Sequence, residues 1–266
     1  MPTHRLTLSC LFVLVVTLVA NAQSRSDVSD SYARGLRRYA SGDYDGAIAD
    51  FSKAIALSSH LVSDQRPNRN WRSELASGEA SSSDRIAFID PLIAETYADR
   101  ALARFRKGDL AGAIADCDQA IAINPGLLRA VNNRAMIRWT DGDLDGAIAD
   151  LNDVIKKNPR DALAYDSRGC IRMDKGDLAA AIADFDEAIR LRPAESDFYC
   201  NRGHARWKKN DLEGALADLD QSIQLNPKVA WAFYCRGIVW YAKRELNRSI
   251  TEFTRAIELD PRMAIA

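Results

Sequence analysis

Histidine is scarce in this chain of 266 residues, where His4, His60 and His204 are the three copies. So few imidazoles exclude a histidine-rich metal site, and we expect no cofactor. An excess of positive or negative charge is also lacking, because 36 Lys and Arg residues are balanced by 37 Asp and Glu residues, which gives a net charge of −1. Without excess positive charge the chain has no field to attract nucleic acid. With 47% hydrophobic and 27% charged residues, the composition is that of a folded globular protein.

Long apolar stretches are absent beyond the amino terminus, so we expect no membrane span in the mature chain. Residues 1–22 combine Arg5, the apolar stretch 6–20 and small residues that end at Ala22. This three-part pattern is typical of a secretory signal peptide, and its apolar part is shorter than the roughly 20 residues of a spanning helix. We predict cleavage after Ala22 and an exported protein, either periplasmic or secreted. An uncleaved amino-terminal anchor is the alternative.

Cysteine pairs with CxxC spacing are also absent, which argues against zinc and redox motifs. Four cysteines follow the predicted signal peptide: Cys117, Cys170, Cys200 and Cys235. They occupy helix positions that favour small apolar residues, so buried thiols are expected. Because an exported protein can form disulfides, Cys200–Cys235 and Cys170–Cys200 pairs stay open as alternatives.

The sequence does contain a 34-residue period, which is marked by Gly-Asp dipeptides that begin at Gly108, Gly142 and Gly176. Six copies follow this period, and we number them as repeats one to six: 28–61, 94–127, 128–161, 162–195, 196–229 and 230–263. Residues 62–93 form an insertion between the first two copies, and their Ser-rich part predicts a surface loop.

Each copy predicts two helices. In repeat four, Gly176 suits the left-handed residue that ends a helix, and Asp177 suits the cap of the next one. Apolar residues then recur at steps of three and four, and Pro193 ends the second helix. Two helices of about 13 residues cannot bury such stripes alone, so neighbouring copies must stack.

Small residues recur where helices must cross closely, at positions 8, 20 and 27 of each copy, and proline recurs at position 32. With the period, this pattern resembles the tetratricopeptide repeat family. The resemblance implies an all-α, right-handed superhelical solenoid of antiparallel helix pairs, whose first helices line a concave groove. Family members bind proteins or peptides and generally carry no chemistry, so we expect a scaffold or adaptor and not an enzyme. Repeat six should be the least regular copy, because Arg244 replaces glycine and Ser249 replaces alanine.

Charged residues follow the same period. Arginine stands at position 7 of every copy and an acidic residue at position 23, and an antiparallel helix pair brings these positions to similar height. We predict structural ion pairs among Arg100, Arg134, Arg168, Arg202, Asp116, Asp150, Asp184 and Asp218. A partly buried arginine side chain needs an acidic partner, and each copy has one acidic residue at position 23 for its arginine at position 7. A basic groove for acidic ligands is the alternative interpretation.

By the family resemblance, five positions of each first helix face the groove, including position 12, which is large and apolar in every copy. The predicted peptide-binding residues are Tyr39, Phe105, Trp139, Met173, Trp207, Tyr241, Met136, His204, Trp231 and Tyr234. Aromatic side chains on an accessible groove are typical anchors of a bound segment. The alternative is that these side chains form the core between repeats.

Two other functions stay open. The sequence after repeat six adds no polar covering helix, so the flank of this repeat is a candidate surface for homo-oligomerisation of a structural subunit. His204 beside Trp207 and Cys170 could suggest an enzyme or a small-molecule carrier. A lone histidine without a matched acid and nucleophile supports that function weakly.

Overall fold

The computed structural model describes residues 26–64 and 91–265, and the regular structure of these ranges is helical throughout. Their helices are α1 (26–40), α2 (Tyr44–Asp64), α3 (Pro91–Arg106), α4 (Leu110–Ile123), α5 (Leu128–Asp141), α6 (Leu144–Lys157), α7 (Ala162–Lys175), α8 (Leu178–Leu191), α9 (Ser196–Lys208), α10 (Leu212–Leu225), α11 (Ala230–Ala242) and α12 (Leu246–Leu259). A 3₁₀ turn, Pro261–Ile265, follows α12. The predicted all-α class is confirmed.

The chain forms two compact units, one that ends at Ile137 and one that begins at Arg138. In the first unit, α3 packs against both α2 and α4. In the second unit, α7, α9 and α11 pack against their own second helices, α8, α10 and α12. The second helices α6, α8 and α10 also contact the first helix of the following repeat. This stacking of consecutive helix pairs is the solenoid that the sequence predicts.

The turn inside each repeat explains why one helix ends and the next begins. Gly176 has a φ of +89° and caps α7, so the chain reverses through a left-handed conformation that glycine adopts without strain. The Asp177 side chain then accepts a hydrogen bond from the backbone N–H of Ala180 and caps α8. Both assignments from the sequence are confirmed.

Repeat six keeps this turn without its usual residues. Arg244 has a φ of +66°, a conformation that is unfavourable for a side chain with a Cβ. Glu245, the residue before α12, makes no capping hydrogen bond from its side chain. The Ser249 hydroxyl donates a hydrogen bond of 2.9 Å to the carbonyl of Gly237, which satisfies the polar atom that replaces alanine. The backbone of repeat six therefore keeps the conformation of the other repeats. Its irregularity is that this turn is less favourable in free energy than a turn with glycine and a capping side chain.

The helix pairs approach closely at position 8. A Cβ added at Gly169 would lie 2.7 Å from Cε1 of Phe185, which is itself fully buried. The same construction at Gly35 would meet Phe51 at 2.6 Å, and at Gly237 it would meet Phe253 at 2.7 Å. Glycine at this position is therefore what allows a phenylalanine ring to fill the space between two helices of one repeat.

The helices on either side of the insertion extend into the range 62–93. Helix α2 continues to Asp64, three residues beyond the predicted end of repeat one, and α3 begins at Pro91, where proline suits the first position of a helix, three residues before repeat two. Ser59 explains the first difference, because it replaces the proline that ends the second helix elsewhere and instead donates a hydrogen bond to the carbonyl of Ile55. The predicted signal peptide and residues 65–90 lie outside the described residues. Within 26–64 and 91–265, no helix combines the length and hydropathy that crossing a bilayer requires.

Candidate functional site

A ladder of arginine and acidic side chains runs along the repeats. In repeat four, Arg168 donates two hydrogen bonds to Asp184, of 3.0 Å from Nε and 2.6 Å from Nη2, and Arg172 donates a third of 2.8 Å. Arg202 pairs with Asp218 in the same way, at 2.9 and 2.6 Å. The carboxylates are buried, and paired guanidinium groups offset the cost of removing their charge from water.

Other members of the ladder use the same contacts. Arg100 donates to Asp116 at 2.8 and 2.7 Å, and Asp150 accepts a hydrogen bond of 2.9 Å from Arg138. Arg134 donates to Asp118 at 2.6 Å. The structure thus places the predicted ion-pair residues in charge-assisted contacts, most of them within one repeat and that of Arg134 with the preceding repeat.

Sequence reasoning missed a further partner of each arginine, at position 25 of the preceding repeat. Nη1 of Arg168 donates to Asn152, and Nη1 of Arg202 donates to Asp186, both at 2.6 Å. The guanidinium of Arg202 also lies 5.6 Å from the ring centroid of Tyr199. A polar residue at position 25 in all six copies was the signal for this contact. Since these guanidinium groups are already bound to protein, they do not form a basic groove.

Four aromatic side chains lie in contact across α9 and α11. The His204 ring stacks on Trp207 with centroids 5.5 Å apart and meets the edge of Trp231 at 5.7 Å. Trp231 stacks on Tyr234 at 5.1 Å. We call Trp207, His204, Trp231 and Tyr234 the aromatic row. Trp231 is 40% exposed, whereas His204, Trp207 and Tyr234 are half-buried, so the row reaches the surface mainly at Trp231.

The other predicted groove residues have different environments. Met173 is 9% exposed and packs with Phe185 and Ala181, so it belongs to the core of repeat four. Tyr241 is 60% exposed, and Met136 is also exposed. Tyr39 and Phe105 are half-buried against core clusters of the first unit. Position 12 therefore supplies core in some repeats and open surface in others.

Trp139 is also half-buried, and its indole N–H donates a hydrogen bond of 2.8 Å to Asp174. Asp174 is exposed at position 13 of α7. The contact fixes this tryptophan against the first helix of the following repeat. Trp139 is therefore less available to a ligand than Trp231.

An acidic side chain without a basic partner lies on α7, the first helix of repeat four. Asp166 accepts a hydrogen bond of 2.9 Å from the Asn201 amide on α9, and no Lys or Arg of the described ranges forms an ion pair with it. Burial raises the pKa of Asp166 to about 6; the Asn201 hydrogen bond opposes this shift, and the charge of Asp197 adds to it. Aspartate occurs at position 5 in this copy alone and gives no periodic signal, so the sequence did not reveal this pair.

The two groups that could suggest catalysis, His204 and Cys170, both have shifted pKa values. Burial and Lys208 lower the pKa of His204, so this imidazole is neutral at neutral pH. Burial raises the pKa of the Cys170 thiol, which therefore stays protonated and weakly nucleophilic. Cys117, Cys200 and Cys235 are buried free thiols, as expected for small core residues.

The outer flank of repeat six is apolar. Leu246, Ile250 and Ile257 are exposed on α12, and Ile250 reaches 62% exposure. The corresponding residues of repeat four, Leu178 and Ile182, are half-buried where the next repeat covers them. The flank is therefore a repeat-packing surface without a covering helix among the described residues.

Sequence comparison identifies the family of these repeats. A family model described as "TPR repeat" matches residues 169–210, and models described as "Tetratricopeptide repeat" match residues 94–127 and 200–264. The matches fall on repeats two, four, five and six. A search of curated proteins found no significant match.

Solved structures share the fold at low sequence identity. MamA from Desulfovibrio magneticus RS-1 is 17% identical, with a TM-score of 0.56 over 64% of this chain and 96% of that chain. YrrB, described as a TPR protein with an unusual peptide-binding site, is 17% identical, with a TM-score of 0.50 over 65% and 90% of the two chains. The APC/C hetero-tetramer Cut9-Hcn1 reaches a TM-score of 0.62 at 17% identity, over 91% of this chain and 44% of that chain. At these identities the similarity establishes the fold alone.

Proposed function

The chain is a tetratricopeptide repeat protein, and we propose that it binds a segment of another protein on the first helices of repeats four to six. Its family and fold are those of protein-interaction scaffolds. The aromatic row is the observation that carries the finer proposal, because the exposed Trp231 is held by stacking against half-buried aromatic neighbours. Large aromatic side chains of this kind commonly dominate the binding energy of protein interfaces.

The contacts of the ladder support this choice of surface. Arg202 and Arg206 both bind Asp218, and Arg202 also binds Asp186, so these side chains hold the repeats together. The ladder therefore serves as the frame of the scaffold, while the aromatic row stays open to a ligand. This division is that of a rigid repeat structure with a variable binding face.

The test is an affinity pull-down from the exported fraction of the native host, with the wild-type chain and two tryptophan variants as bait. Trp231→Ala removes an exposed ring of the aromatic row. Trp240→Ala is the control, because Trp240 lies on the same helix but is half-buried, and its ring contacts the Arg248 guanidinium at 4.6 Å instead of the rings of the row. A partner that is lost with Trp231→Ala and kept with Trp240→Ala supports the proposal. A partner that both variants keep moves the site elsewhere.

We also propose that the protein acts outside the cytosol. This follows from residues 1–22, whose charged start, apolar stretch and small residues before Gln23 are typical of a cleaved signal peptide. Mass spectrometry of the exported fraction should find a chain that begins at Gln23. A chain that retains residues 1–22 in a membrane fraction would instead favour an uncleaved anchor.

Self-assembly through repeat six is a second candidate function, favoured by the exposed flank of α12. Among the described residues, repeat one does not offer a matching surface, because Asp30 and Arg37 of α1 are exposed where most later repeats bury apolar residues. Two copies would therefore meet flank to flank, with Ile250 near the contact. Sedimentation equilibrium should then give a dimer that Ile250→Gln converts to a monomer, and a monomer at all concentrations would reject this candidate.

A further inference from the structure

The charge of the surface beside the aromatic row indicates which segments it can bind. First helices α7, α9 and α11 contact one another in order, so their groove positions form one surface. Four charged side chains occupy groove positions 2, 5 and 13 of α7 and α9, and they are Asp166, Asp174, Asp197 and Lys208. The surface therefore carries three carboxylates and one ammonium group, together with the four rings of the row.

The arginine residues of these helices do not change this balance. Arg168 and Arg172 share the carboxylate of Asp184, and Arg202 and Arg206 share that of Asp218. Their N–H groups point to protein acceptors within the ladder. An acidic segment would find no free guanidinium group here, whereas a basic segment would meet unneutralised carboxylates.

Asp166 is the clearest example of a carboxylate on this surface that lacks a basic partner. Buried aspartates of the ladder each have arginine partners, but Asp166 has only the neutral amide of Asn201, and the like charge of Asp197 acts on it. A carboxylate in this position is less stable than one in water, which its raised pKa reflects. A cation bound nearby would stabilise the ionised form, so a basic ligand gains energy that an uncharged ligand does not.

The rings favour the same ligand. Aromatic faces carry partial negative charge and attract ammonium and guanidinium groups. Asp197, Asn201 and His204 lie four and three residues apart on α9 and share one face of that helix. The carboxylates and the row are therefore adjacent, so one side chain can place its apolar stem on a ring and its charged head near a carboxylate.

We propose that the segment bound by the aromatic row is basic, with a Lys or Arg side chain that lies between the row and the carboxylates of Asp166 and Asp197. This inference rests on the proposed function, since it names the chemistry of the ligand for the same surface. The contacts between the basic side chain and the carboxylates determine which segments bind, and the apolar contacts with the aromatic row supply most of the affinity.

The test selects peptides from a displayed library of random dodecapeptides on the immobilised full chain. Selected sequences should be enriched in Lys or Arg next to an apolar residue. The best peptide is then synthesised with a fluorescent label, and its affinity is measured for four proteins: the wild type, Trp231→Ala, the double variant Asp166→Asn with Asp197→Asn, and Asp153→Asn. Asp153 is the matched charge control, because it is exposed on the second helix α6.

The double variant should weaken binding about tenfold, or ~1.4 kcal/mol, while Asp153→Asn leaves the affinity unchanged. Replacing the Lys or Arg of the peptide by Gln should weaken binding to the wild type equally and to the double variant hardly at all. Peptides that depend on Trp231 but lack basic residues would overturn this inference and keep the proposed function. Peptides that bind regardless of Trp231, or no selected peptide at all, would overturn both.

Discussion

Replacing Gly169 by alanine should destabilise the protein, although alanine is the better helix former. The substitution gains about 1 kcal/mol of helix propensity. It also places a Cβ 2.7 Å from Cε1 of Phe185, a contact shorter than carbon atoms tolerate. Because Phe185 is fully buried, its ring cannot move aside without disturbing its neighbours. Overpacking of this kind costs roughly 1–3 kcal/mol, which exceeds the gain over most of that range, so we expect a net loss of about 1 kcal/mol and at most about 2 kcal/mol.

A second substitution shows whether the ring is the cause. Phe185→Leu alone should cost about 2 kcal/mol, because it leaves space beside Gly169. In the double variant the new methyl group occupies part of that space, so the two costs should not add. We expect the double variant to be about 1–2 kcal/mol more stable than their sum. Repeat three already combines alanine at position 8, Ala135, with leucine at position 24, Leu151.

The assay is urea unfolding of the four proteins, followed by far-ultraviolet circular dichroism. The slope of the unfolding free energy against urea must stay constant across the set, because repeat proteins can lose cooperativity. A stabilising effect of Gly169→Ala would refute the reasoning about close approach. Strict additivity of the two single changes would show that the methyl group and the ring do not compete for the same space.

Three further predictions concern charge and backbone conformation. Asp166→Asn should stabilise the protein by about 1–2 kcal/mol above pH 6 and lose this advantage towards pH 4. The reason is that the raised pKa of Asp166 makes its ionised form destabilise the folded state, and protonation at low pH removes that destabilisation. Urea unfolding at several pH values measures the difference. Arg244→Gly should add about 1 kcal/mol to the free energy of unfolding by relieving a left-handed residue, while Arg244→Ala should add nothing, as thermal and urea unfolding can report. Asp218→Asn should lower the free energy of unfolding by about 3 kcal/mol, because it leaves two arginine side chains without their buried carboxylate partner. Asp186→Asn removes an exposed carboxylate that also contacts Arg202, so it should cost less than about 1 kcal/mol in the same assay.

Each of these predictions has a contradicting result. A stability difference for Asp166→Asn that does not vary with pH would mean that the carboxylate is well solvated. Equal effects of the glycine and alanine variants at Arg244 would assign the change to the lost side chain. Equal costs at Asp218 and Asp186 would mean that burial does not decide the strength of the ladder.

The sequence predicts the parts of the fold that depend on one repeat. The left-handed turn at Gly176 and the cap at Asp177 follow from residues that are neighbours in the chain. The alignment of positions 7 and 23 follows from the antiparallel pair, which brings Arg168 to Asp184. Because the same residue pattern recurs in successive repeats, the sequence shows each of these features several times.

Contacts between repeats were harder to predict, because they depend on how far successive helix pairs are offset. Position 12 illustrates this: Met173 is buried in the core while Tyr241, at the same position, is largely exposed. The hydrogen bond from Asn201 to Asp166 depends on an aspartate that stands at position 5 in repeat four alone. Such single contacts leave no pattern in the sequence, yet they give the candidate site its charge.

The central claim, that a protein segment binds on the first helices of repeats four to six, is tested most directly by site-specific photo-crosslinking in the native host. One variant carries benzoylphenylalanine in place of the exposed Tyr241 on α11, and a second carries it in place of Asp153 on the second helix α6. We expect a crosslinked product of higher mass from position 241 and none from position 153. A product from position 153 alone would contradict the account, because the partner would then lie on the second helices.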